Sequence, residues 1–124
     1  MNTYKSDFGK MIIEDGICFV TFLAETTTLE IANILVKERL LLTQNIAYPL
    51  LSDIRLTKKI TREARERLAD KEAEIGVSAC AIILNSKFQI IISQFFLSIS
   101  QSKIPTKFFN NIEDGAKWLQ KFKL

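Results

Sequence analysis

Hydrophobic positions change their period several times along this chain, and each change marks an element. "KMIIEDGICFVTFLA" holds two β-rich runs around Asp15-Gly16, a strong hairpin signal. In "ETTTLEIANILVKERLLLTQN" the spacing turns helical, and Thr27-x-x-Glu30 has capping-box spacing. The predicted helix runs to about Gln44. Its polar residues Glu30, Asn33, Lys37 and Gln44 form one narrow stripe, and the apolar arc is wider than one packing face needs.

"YPLLSDI" reads as a short strand, followed by a helix from Thr61 through "TREARERLADKEAEIG". Its apolar stripe is Ile60, Ala64, Leu68 and Ile75, with Gly76 at the place of a left-handed C-terminal cap. "VSACAIILN" is almost continuously apolar, as in a central parallel strand covered on both faces. The length and position of "SKFQIIISQFFLSISQSK" favour helix, with Phe88, Ile91, Ile92, Phe95 and Ile99 on one face and Ile90 and Leu97 opposite. "PTKFFN" is a last short strand. Asn111-x-x-Asp114 then caps a helix with a stripe of Ile112, Ala116, Leu119 and Phe122. The order ββαβαβαβα predicts one α/β domain over residues 1–124, with a mixed, mostly parallel sheet and right-handed crossovers.

Composition narrows the function classes. The 124 residues include nine Phe, enough for a real core. A net charge of +3 is too small to argue for nucleic acid. With no histidine, the commonest general base and metal ligand is missing. Cys18 and Cys80 sit in apolar runs and read as small buried hydrophobes. No cofactor or metal site is expected. The polar N-terminus has no signal-peptide core, and no apolar run approaches the roughly 20 residues of a membrane span. The expected location is the cytoplasm.

The order of elements resembles the STAS-like superfamily, which includes anti-sigma factor antagonists of the SpoIIAA type and small bacterial proteins compared with CRAL-TRIO lipid-binding domains. The clearest local likeness is "KIPTKFFNNIEDGAKWL", through Pro105, Phe109, Glu113, Asp114, Ala116, Trp118 and Leu119. "DIRLTKKITREAR" and "NSKFQIIISQFFL" resemble an uncharacterised Bacteroidetes-type group of such proteins. The resemblance implies a SpoIIAA-like fold. In the antagonists a loop after a central strand carries Asp-Ser-Ser-Gly, whose first Ser is phosphorylated by a partner kinase. The equivalent loop here has neither that motif nor a glycine.

That loop, within "DIRLTKKITREARERLA", is where charge concentrates: Arg55 to Arg67 carries six Lys/Arg against two Glu. One reading is structural, with Thr61 as a helix cap and the charges as surface pairs. The other is an anion or partner site built from Arg55, Lys58, Lys59, Thr61 and Arg62, since cations at a helix start conflict with the dipole. Phosphorylation of Thr57 or Thr61 is a third. Glu63, Glu66, Asp70 and Glu74 read as a solvated face, Ser86 beside Lys87 as a helix cap, and Trp118 as packing on the sheet edge. Phe88, Ile90, Phe96 and Leu97 suggest a homodimer face, or an apolar pocket with the basic loop as its rim. The leading expectation is a non-enzymatic regulatory module acting through protein contacts; the alternative is a carrier of a lipid or anionic small molecule.

Overall fold

A computed structural model describes residues 2–85 and 103–123. The expected helix carrying Ser86, Phe88, Ile90, Phe96 and Leu97 lies outside the described residues. The sheet begins with β1 (Thr3–Lys5), β2 (Gly9–Glu14) and β3 (Ile17–Phe22), paired antiparallel. Asp15 and Gly16 both have positive φ, 51° and 74°, so the β2–β3 turn twists with its strands as the Asp-Gly signal requires. β1 was not expected from the polar N-terminus. All three of its residues are exposed, so it carries no hydrophobic alternation to read. Its tie to the body includes Ser6, whose hydroxyl donates to Glu38 at 3.2 Å.

Past β3 the sheet becomes parallel, through β5 (Tyr48–Asp53), β7 (Val77–Ile83) and β8 (Thr106–Phe109), in the order β1-β2-β3-β5-β7-β8. The mostly parallel sheet expected from the alternation of strands and helices is therefore present. A proline at buried position 49 removes one ladder donor, and the β5–β7 register shifts between Tyr48 and Pro49. A minor two-stranded sheet pairs β4 (Thr26–Thr27) with β6 (Lys59–Ile60) in parallel.

The helix α1 (Leu29–Thr43) is capped by Thr28, whose hydroxyl accepts from the Ile31 amide at 3.4 Å. The expected cap, Thr27, is instead held extended in β4, and its carbonyl accepts from the Thr61 amide at 3.1 Å. The single helix expected from Thr61 is two: α2 (Arg62–Leu68) and the one-turn α3 (Lys71–Glu74). Asp70 makes the break, because its carboxylate accepts from the Ala73 amide at 2.9 Å and starts a new helix. The apolar stripe loses its phase there: Ile60 and Ala64 are buried, but Ile75 is 53% exposed. Gly76 keeps the expected left-handed conformation, φ 72°.

The last helix, α4 (Ile112–Leu119), is capped by Asn111 as expected and gives way to a 3₁₀ turn at Gln120–Phe122. Two cores result. Met11, Val20, Phe22, Ala32, Leu35 and Ile82 belong to the one under α1 and α2. Ile17, Leu51, Ala79, Ala81, Ile83 and Leu119 form the other, under α4. Trp118 packs against Phe109 of the edge strand β8, with ring centroids 5.8 Å apart.

Candidate functional site

Parallel strands bring the loops after β3, β5 and β7 to one end of the sheet. After β5 the chain turns sharply, with the Thr57 amide donating to the Ile54 carbonyl at 3.0 Å and Arg55 and Leu56 at the tip. The Thr57 hydroxyl, fully buried, donates to the Ala24 carbonyl at 3.1 Å. The amides of Lys58 and Lys59 both donate to the Glu25 carbonyl, at 2.7 and 3.1 Å. From the third loop, the Asn85 side-chain amide donates to the Arg55 carbonyl at 3.2 Å. The loops that follow Asp53 and Ile83 are therefore neighbours at Arg55 and Asn85.

The structure brings the five loop residues together and gives most of them partners. Arg55 forms a two-pronged pair with Asp53, Nε to Oδ1 at 2.9 Å and Nη2 to Oδ2 at 2.8 Å. The hydrogen bonds to Asp53 raise the Arg55 pKa. Lys58 pairs with Glu25 at 3.4 Å and Arg62 with Glu66 at 3.1 Å. The Thr61 hydroxyl caps α2 by accepting from the Ala64 amide at 3.2 Å. Lys59 is exposed and has no side-chain partner among the described residues. Thr57 is out of a kinase's reach unless the loop opens. Leu56, which the sequence reading passed over, is 57% exposed at the tip.

A second feature lies under α1. A cleft of about 120 Å³ opens against β3, β5 and β7, over Val20, Phe22, Leu50, Ser52, Cys80 and Ile82. Its helical side includes Leu35, Val36, Arg39, Leu68 and Glu74. None of the five loop residues is among its described lining residues. Arg39 is only 4% exposed, with Nη1 donating to the Ile75 carbonyl and Nη2 to the Ala73 carbonyl, both at 2.9 Å. Burial lowers its pKa. Burial also pushes the Cys18 and Cys80 thiols up to about 11, so both stay neutral at ordinary pH. Glu38 and Arg39 interrupt the apolar arc of α1 in the sequence. That was the available sign that α1 carries charged groups into the interior, where both are buried. Among the described residues, no group of three or more His, Cys, Asp or Glu could hold a metal ion.

Residues 11–123 match the family model for a domain of unknown function, DUF7793. The chain belongs to the DUF7793 family. Its structure is similar to that of an uncharacterised DUF3478-family protein from Shewanella loihica PV-4 described as having a SpoIIAA-like fold. The TM-score is 0.59 at 16% identity, over 94% of this chain and 90% of that one. At that identity the likeness shows the fold, which is SpoIIAA-like as the order of elements implied. No curated protein matches the sequence. No helix among the described residues is long and apolar enough to cross a membrane.

Proposed function

We propose that this DUF7793 protein is a non-enzymatic binding module that acts through contact with another protein, at the loop edge built around Leu56. The observation that carries the reading is an exposed leucine on a turn tied down on both sides, by Thr57 to Ala24 and by Asn85 to Arg55. A side chain presented in a fixed position loses little entropy on binding, which favours affinity. The surrounding cations suit a polar rim around an apolar contact. Arg55, Lys58 and Arg62 already hold carboxylates, and Lys59 is left to meet an acidic group on the partner. The resemblance to anti-sigma factor antagonists, which work by protein contacts, supports the same class of role by analogy of fold.

The test replaces Leu56 with a photoreactive phenylalanine analogue in cells that carry the protein. The expected result is one discrete cross-linked protein, with a second copy of this chain among the possible identities. The yield should fall when Lys59→Glu is added. A pattern no different from that of a probe at exposed Lys117 would defeat the proposal.

A further inference from the structure

The cleft under α1 holds a buried cation, Arg39, that forms no ion pair with any described residue. Both hydrogen bonds of the Arg39 guanidinium go to neutral carbonyls, and among the described residues no carboxylate lies within ion-pair distance of it. A guanidinium has five N–H donors, so three remain beyond the two carbonyl bonds and can serve an anion. A buried charge without a partner is costly, and a bound anion would relieve that cost. The strand side of the cleft adds no opposing charge: Ser52 is neutral, and burial keeps the Cys80 thiol protonated. The acidic residue of the lining is half-buried Glu74, which disfavours a second negative group on the same ligand.

We infer that the cleft binds a small monocarboxylate, its carboxylate on Arg39 and its apolar body over Val20, Leu50 and Ile82. An enclosed apolar cavity of similar size holds a benzene molecule, so the body is about six to eight non-hydrogen atoms. The inference rests on the cleft alone and is independent of the loop reading, because Leu56 and the basic residues take no part in it.

Hexanoate and 1-hexanol, titrated into the full chain at neutral pH and followed by methyl NMR, test it. Hexanoate should bind saturably, about tenfold or more tighter than hexanol, and shift the Val20, Leu50 and Ile82 signals. Ser52→Leu fills the cleft without touching the Arg39 bonds and should abolish binding. Arg39→Gln should erase the preference for hexanoate; if that variant does not fold, the hexanoate–hexanol comparison and Ser52→Leu still decide. Equal affinity for the two probes, no saturable hexanoate binding, or binding indifferent to Ser52→Leu each overturns the inference.

Discussion

At the scale of single residues, two buried threonines separate what a hydroxyl costs from what it contributes. Thr27 and Thr57 are both fully buried. The Thr57 hydroxyl reaches the Ala24 carbonyl, whereas the Thr27 hydroxyl has no partner among the described residues. Thr27→Val should therefore raise stability by about 1 kcal/mol, while Thr57→Val should lower it by about 1–3 kcal/mol through the orphaned carbonyl. Urea unfolding of the two variants checks the pair, and shifts in the same direction would contradict it. Legibility was uneven at this scale. The cations of the loop stood out in the sequence because charge is visible there. Leu56 did not, because a leucine after "YPLLSDI" looks like core until the turn at Ile54–Thr57 swings it outward.

Elements carry their own tests. The α2–α3 break depends on the Asp70 cap, braced by Arg67, whose Nη1 lies 2.9 Å from Asp70 Oδ1 and whose Nε donates to Asn33 of α1. Asp70→Ala should cost about 1 kcal/mol, with faster amide exchange confined to Lys71–Ile75. Exchange unchanged there would mean that packing, not the cap, sets the break. Gly115 lies inside α4, where Gly→Ala ordinarily gains up to about 1 kcal/mol. Here a Cβ would stand 2.7 Å from Ile83 Cδ1 and 3.4 Å from Ala81 Cβ. Gly115→Ala should instead lose about 1–3 kcal/mol by overpacking. A gain in thermal midpoint would show that the Ile83 methyl group gives way without penalty.

For the molecule as a whole, burial of the two thiols links stability to alkaline pH. Cys18 and Cys80 carry pKa values near 11 in place of the ordinary 9.0. The folded state favours the neutral thiol, so this contribution is complete below pH 9 and is lost as pH rises from about 9 towards 11. Denaturant unfolding should fall off less steeply over that range in a Cys18→Val, Cys80→Val double variant than in the parent. Identical slopes would show that the thiols are not protected by the fold. The same burial should make the Cys18 thiol slow towards alkylating reagents at neutral pH in the native protein.

The sequence by itself determined most elements and their order, because hydrophobic period and turn chemistry are local. Asp15-Gly16, the run "VSACAIILN" and the Asn111 cap all name their structures, and the alternation of strand and helix implies the parallel sheet. Tertiary structure decided what depends on distant chain segments. Pairing of β4 with β6 moved the α1 cap from Thr27 to Thr28. The crossovers collected the loops after three strands around Leu56, and the approach of the Ala73–Ile75 segment to α1 buried Arg39 beside a cleft. No local pattern encodes those placements, since each arises from contacts between residues tens of positions apart.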